Sequence, residues 1–277
     1  MMKKLIVKSI GSFINVTAVL FPKWNGEYSF NLLCKVKRVG ISEKGRRFLD
    51  EGKTTFLDID GHSAALHQWG NGEKKVLLLH GWLSNSQRWN PYFAQLDLNE
   101  YQVFALDAPG HGMAKGNHLN VEIYRNALEQ SIQKIGPINT LVCHSLGSLV
   151  GGYAYLHNRE IPVKRFVIMG SPSGMDAIFV YFRTTLGLST KAISNLELKI
   201  NSVLKLPHET ISLAHFFQKV DQPVLVVHEV LDKITPFEPI RVASEKKKEI
   251  ATFFTEGQDH NLKGEETVNR VIEFIKQ

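Results

Sequence analysis

Thr140-Leu141-Val142-Cys143-His144-Ser145-Leu146-Gly147-Ser148-Leu149-Val150-Gly151-Gly152 is the stretch whose reading decides the fold. Its apolar run up to Val142 predicts a buried strand, and Leu146 to His157 predicts a helix, with Ser145 on the turn between them. A strand that reverses sharply into a helix lifts the serine oxygen clear of the sheet. It also aims the first helical amides at whatever that oxygen attacks. Such a turn asks for small residues two before and two after the serine. Gly147 meets that demand fully and Cys143 approximately.

The pentapeptide Cys143-His144-Ser145-Leu146-Gly147 resembles the G-x-S-x-G nucleophile elbow of the α/β-hydrolase superfamily, with cysteine in place of the first glycine. Alone, the motif also fits an ordinary strand-turn-helix, so the surrounding pattern has to be weighed with it. At 277 residues and 43% apolar content, the chain is long enough for one large α/β domain with embellishments. Cys34 and Cys143 lie far apart, so no disulfide framework is expected. A reducing compartment, the cytoplasm, is the expected location.

The net charge of +6 is unevenly placed. Residues 1–53 hold eleven Lys or Arg against four Asp or Glu, a balance of +7, and the remainder holds 22 against 23, a balance of −1. No nucleic-acid reading motif accompanies the basic segment, so an acidic partner or a membrane surface suits it better. Met1 to Lys4 followed by Leu5 to Phe21 has the outline of a secretory signal. Lys8, Ser9, Ser12 and Asn15 interrupt the apolar run, however, and no small-x-small cleavage site precedes Pro22. Ile6, Ile10, Phe13, Ile14, Leu20 and Phe21 fall near one helical face, with Lys4, Lys8, Ser12 and Asn15 largely opposite. Two readings stand: a helix docked on the catalytic domain, or one lying in the plane of a membrane and giving peripheral contact. Glu27 to Val36 and Glu43 to Leu49 read as two further helices, the second capped by Ser42.

From Thr54 the period changes to that of strands. Phe56, Asp58 and Asp60 alternate with their neighbours up to the turn at Gly61-His62, and Ala64 to Trp69 pairs back. Val76 to Leu79, Val103 to Asp107, Arg165 to Met169 and Pro223 to His228 read as largely apolar strands of the kind that sheets covered on both faces require. Val121 to Ile135 reads as an amphipathic helix, Ile250 to Phe254 as a last strand, and Leu262 to Ile275 as a closing helix. The fold class is therefore α/β, a mostly parallel sheet flanked by helices over residues 54–277, preceded by a basic helical extension over residues 1–53. Residues 172–221 carry helical patches and no clear strand, at the point where the resembling family inserts a helical cap.

The resemblance implies the site. Ser145 would be the nucleophile, His260 in Glu256-Gly257-Gln258-Asp259-His260 the base, and Asp232 the acid after the Pro223–His228 strand, in the chain order serine, acid, histidine. Glu229 stands where that family commonly has glycine. The backbone N–H groups of Trp82, after His80-Gly81, and of Leu146 would hold the developing oxyanion. Asp107 and His111, in a loop with Pro109 where the family often has arginine, are read as structural braces. Asp176 and Asp259 are the competing acids. The cap's Phe179, Tyr181, Phe182, Leu186 and Leu188 suit either an apolar acyl pocket or the cap's own packing.

No Cys/His cluster has metal-ligand spacing and no Gly-rich phosphate loop follows a strand, so neither a metal nor a cofactor is expected. The expected partner is a small-molecule ester, hydrolysed through an acyl-enzyme on Ser145. Relatives in the family include thioesterases, lipases, carbon–carbon bond hydrolases and cofactor-free peroxidases. Two alternatives remain: a lipid-active enzyme at a membrane surface, or a ligand-binding protein on the same fold.

Overall fold

The computed structural model describes residues 2–277, with side chains from Leu5 onward. The basic start at Met1–Lys4 thus falls largely outside the described residues. Eight strands form one sheet: β1 (Lys53–Ile59), β2 (His62–Trp69), β3 (Lys74–Leu79), β4 (Tyr101–Asp107), β5 (Thr140–His144), β6 (Phe166–Met169), β7 (Val224–Glu229) and β8 (Ala251–Thr255). Their spatial order is β1-β2-β4-β3-β5-β6-β7-β8. The pairs β1–β2 and β2–β4 are antiparallel and the rest parallel.

Alternation along the parallel strands sorts the core into two layers. Leu77, Leu79, Leu141, Cys143, Phe166, Ile168 and Val226 face one side, under α5 (Val121–Ile135) and α6 (Leu146–His157). Val76, Leu78, Val142, Val167, Leu225 and Val227 face the other, under α11 (Glu265–Lys276) and α3 (Glu43–Asp50). A short 3-10 turn (Ser86–Trp89) and α4 (Asn90–Phe93) supply Trp89 and Tyr92 to that second layer. Because both faces are covered, the central strands carry apolar residues on both sides through their middle, which is why they read as continuous runs.

The Ser42 cap expected from the sequence is borne out, and the structure adds a second at Asn120. Ser42 Oγ accepts from Gly45 N at 3.0 Å, capping α3. Asn120 Oδ1 accepts from Ile123 N at 2.8 Å at the head of α5. The closing helix starts at Glu265, three residues after the predicted Leu262. Leu262 has φ of +53°, a left-handed conformation that a helix cannot contain.

Between β6 and β7 run α7 (Met175–Leu186), α8 (Thr190–Asn201), a 3-10 turn (His208–Thr210) and α9 (Leu213–Lys219). Two N-terminal helices, α1 (Met2–Leu20) and α2 (Pro22–Cys34), pack against α7 and α8. Buried asparagines knit that junction. Asn25 donates to Ile14 O at 2.8 Å, and Asn195 donates to Ala18 O at 3.0 Å. Gly11 lets α1 approach α7 closely, since a Cβ there would overlap Leu186 O.

These contacts turn α1 away from the orientation its periodicity suggested. Ile14, Thr17 and Ala18 face inward. Asn15, assigned to the outer face, donates to Gly187 O at 2.9 Å and accepts from Ser189 N at 2.7 Å. Ile6, Phe13, Leu20 and Phe21 are instead exposed. A helix with apolar residues on two sides has no single face readable from period alone, and tertiary hydrogen bonds choose. Beyond α2 the chain crosses to the 111–119 loop, with Val36 N donating to Asn117 O at 2.8 Å and Leu119 N to Cys34 O at 2.9 Å. Among the described residues no helix is long and apolar enough to cross a membrane.

Candidate active site

The sheet order brings together the carboxyl ends of β3, β5, β7 and β8, the edge at which open α/β sheets bind ligands. Ser145 sits between β5 and α6 with φ of +53° and ψ of −121°. Left-handed backbone at a non-glycine residue costs about 1–3 kcal/mol and persists only where the surroundings enforce it. Ser145 N donates to Met169 O at 2.8 Å, and Ser148 N to Ser145 O at 2.9 Å, pinning both sides of the turn.

The small residues around it are needed for reasons the pentapeptide alone does not reveal. A Cβ on Gly147 would stand 2.7 Å from His80 O and 2.8 Å from Leu79 O, so the clash is with β3. Cys143 is accommodated because Gly151, one turn into α6, has no side chain. A Cβ there would lie 2.8 Å from Cys143 Sγ.

His260 Nε2 lies 3.0 Å from Ser145 Oγ, and His260 Nδ1 lies 2.7 Å from Asp232 Oδ2. The Asp232 side chain is closed to solvent, while that of His260 is 17% exposed. Burial acts to raise the Asp232 carboxyl. The His260 hydrogen bond and the amides of Thr235 and Ile234 more than offset it, holding the pKa at about 2. The Thr235 hydroxyl adds a further donor, 2.8 Å from Asp232 Oδ2. An anionic acid therefore faces Nδ1 of a ring whose other nitrogen faces the serine hydroxyl. That is the geometry that lets an imidazole take a hydroxyl proton.

The competing acids are placed elsewhere. Asp176 is exposed on α7, 3.8 Å from His208 Nε2. Asp259 turns its carboxylate onto its own loop, accepting from Asn261 N at 2.8 Å. Trp82 and Leu146 line the same cavity as Ser145 and His260, and Leu146 is the first residue of α6, whose leading amides have no partner inside the helix.

The other histidines here are held neutral as braces. In His80, burial lowers the pKa; Nε2 accepts from Ala108 N at 3.1 Å and Nδ1 donates to Gly81 O at 2.7 Å. His111 is pushed down to about 3 by burial, its Nε2 accepting from Leu83 N at 3.2 Å. Asp107 is buried and held at about 2. Burial opposes this, and the His67 contact at 3.0 Å and the amide of Met113 prevail. His144 has a role that its place in the motif did not suggest. Its Nε2 donates to His260 O at 2.8 Å, tying the elbow to the loop that carries His260.

Glu229 explains itself once the loops are in place. Its buried carboxylate accepts from Leu231 N at 3.2 Å and Gly257 N at 3.1 Å through one oxygen. Through the other it accepts from Gln258 N at 2.9 Å and the Thr255 hydroxyl at 2.8 Å. The loops bearing Asp232 and His260 are thus fastened to one anion. Burial raises its pKa, and the Thr255 hydroxyl and these amides outweigh that and lower it. Glu229→Gln would turn an amide NH₂ toward backbone N–H groups. It is expected to cost about 1–3 kcal/mol of stability in urea unfolding, the penalty for buried donors left without an acceptor. A variant as stable as its parent would contradict this role.

A cavity of about 560 Å³ opens over the serine, a size typical of small-molecule sites. Of the cap residues singled out by sequence, Tyr181 and Phe182 line it, while Phe179 lies edge-on to His208 in the cap. The opposite wall is Phe30, Leu32, Leu33 and Cys34 from α2. Nothing in the α2 sequence marked it as part of the site. Among the described residues no group of His, Cys, Asp or Glu is arranged to hold a metal ion.

Comparison with known proteins agrees with this architecture. Two curated relatives are a serine hydrolase-like protein of Mus musculus, 27% identical over 123 residues, and a pimeloyl-(acyl-carrier protein) methyl ester esterase of Vibrio vulnificus (strain CMCP6), 28% identical over 111 residues. The matches cover 42% and 40% of this chain and only 39% and 42% of the relatives' own lengths. The mouse alpha/beta hydrolase domain-containing protein 10 superposes over 81% of this chain and 97% of its own, with a TM-score of 0.64 at 18% identity, a likeness of fold. The sequence model described as the alpha/beta hydrolase family matches residues 76–244, which include Trp82, Ser145 and Asp232. That match spans more than half of the chain, and the chain belongs to the alpha/beta hydrolase family.

Proposed function

We propose that this protein is a serine-dependent hydrolase of carboxylic esters with an apolar acyl group. The observation that supports this reading best is the continuous relay Asp232–His260–Ser145, at 2.7 and 3.0 Å, on the floor of an apolar cavity. In this reading Ser145 Oγ attacks the ester carbonyl as His260 Nε2 takes its proton, and Asp232 stabilises the imidazolium. The tetrahedral oxyanion is held by the N–H groups of Trp82 and Leu146, each donor contributing about 2.7–4 kcal/mol. His260 then protonates the departing alkoxide. Water attacks the acyl-enzyme, giving its proton to His260, and the acid leaves as Ser145 recovers its hydrogen. The apolar wall shared by α2 and α7 would take the acyl chain, so esters of increasing acyl length should turn over faster until the cavity is filled.

The test is the intact mass after treatment with a fluorophosphonate. The expected result is one adduct on the parent and none on a folded Ser145→Ala protein. A folded parent that remains unmodified would overturn the reading and favour a ligand-binding role on the same fold.

A further inference from the structure

Between Leu5 and Trp24 the outer surface of the N-terminal helices is apolar to an unusual degree. Leu5, Ile6, Phe13, Val16, Val19 and Leu20 are each between 47% and 71% exposed. Monomeric soluble proteins rarely leave such residues contiguous unless something docks on them. Phe13, Trp24 and Tyr28 form an aromatic cluster beside this face, with ring centroids 5.1–5.9 Å apart and Trp24 itself 48% exposed.

The apolar surface leads to the cavity. α7, which meets α1 where Gly11 lies against Leu186, carries Val180 and Tyr181, 63% and 64% exposed. Tyr181 is also part of the cavity lining, as are the exposed Leu83 and Ile234. The mouth is thus rimmed by large apolar side chains open to solvent, one of which, Tyr181, is on the helix that borders α1.

Charge selects among occupants. The sequence before Glu27 contains Lys3, Lys4, Lys8 and Lys23 and no acidic residue. A second copy of this chain would bring like charges together across the contact. An anionic lipid surface would not, and each lysine near it adds attraction. Apolar side chains on one face, aromatic residues with polar tips at the margin, and lysines without acids are the features of helices that lie in a membrane interface.

We propose that α1 and the exposed edge of α7 dock on a bilayer containing anionic lipid, setting the cavity mouth at the lipid surface. If the serine-hydrolase reading above holds, on which this last step rests, the ester would be drawn from lipid and not from solution.

The experiment is co-sedimentation of the full chain with phosphatidylcholine vesicles, with and without phosphatidylglycerol. The parent is expected to bind the anionic vesicles, less so at high salt. Val16→Asp combined with Leu20→Asp should lower partitioning about tenfold or more by charging the inserted face. Its circular dichroism and its turnover of a short soluble ester should match the parent's. Ser145→Ala should bind vesicles like the parent, so loss of catalysis and loss of docking are read separately. A parent that ignores both vesicle types, or a double variant that still binds, overturns the proposal. So does a sedimenting dimer that the aspartates dissociate in the absence of vesicle binding, which would assign the face to a second copy.

Discussion

Ser145→Ala is expected to lower ester turnover by about 10⁶-fold, the scale on which removing the nucleophile acts in an assembled triad. In the proposed mechanism the hydroxyl is the atom that forms the acyl bond, and among the described residues the elbow presents no other oxygen 3.0 Å from His260 Nε2. Binding should change little, because the cavity walls from α2 and α7 do not involve the hydroxyl. The loss should therefore fall on kcat and leave KM nearly unchanged. The variant should also fold normally, since Ser145 is fixed by backbone hydrogen bonds to Met169 and Ser148 and not by its side chain. Steady-state kinetics on an activated ester, with circular dichroism beside it, is the measurement. Turnover within tenfold of the parent would mean that Ser145 does not carry the chemistry.

Asp232→Asn is expected to lower kcat by about 10⁴-fold, as amidating the acid does in a serine–histidine–aspartate triad. An asparagine can present its NH₂ to His260 Nδ1, stabilising the ring tautomer that carries its proton toward the serine and so cannot accept another. The carboxyl is held at about 2, so the acid is ionised throughout the working range and the loss should appear at every pH instead of shifting the profile. Stability has a definite sign. A carboxyl depressed from 3.8 to about 2 contributes stability above its unfolded pKa and loses it as pH falls through the folded one. Between about pH 4 and pH 2 the parent should lose stability more steeply than the Asp232→Asn protein, which has no such group to protonate. Equal slopes in acid unfolding, or a kcat close to the parent's, would contradict the assignment.

Much of the site could be read before any coordinates. Ser145 sits on the turn after a predicted strand, Asp232 and His260 in loops that follow two others, and their chain order matches the family pattern. Two departures from that pattern took on meaning only in three dimensions. Cys143 for glycine is matched by Gly151 across the strand–helix contact, and Glu229 for glycine becomes the anion that fastens two loops. Gly151 lies eight residues from Cys143, and the Gly257 and Gln258 amides lie 28 and 29 residues from Glu229, so no local motif could pair them. The α2 wall was illegible for the same reason: Phe30 and Leu33 are ordinary apolar helix residues until packing shows what they face.

What the sequence by itself determined is the alternation of elements, the sharp turn at Ser145, and the Asn and Ser caps. These are set by periodicity, by steric limits on neighbouring residues and by side chains reaching their own backbone. The tertiary structure decided which groups meet: Ser145 with His260, 115 residues apart, the rotation of α1 about its axis, and the sharing of one cavity between the N-terminal helices and the cap. Those follow from sheet register and from burying several apolar faces at once, a choice made by the whole chain because no short segment contains both sides of the contact.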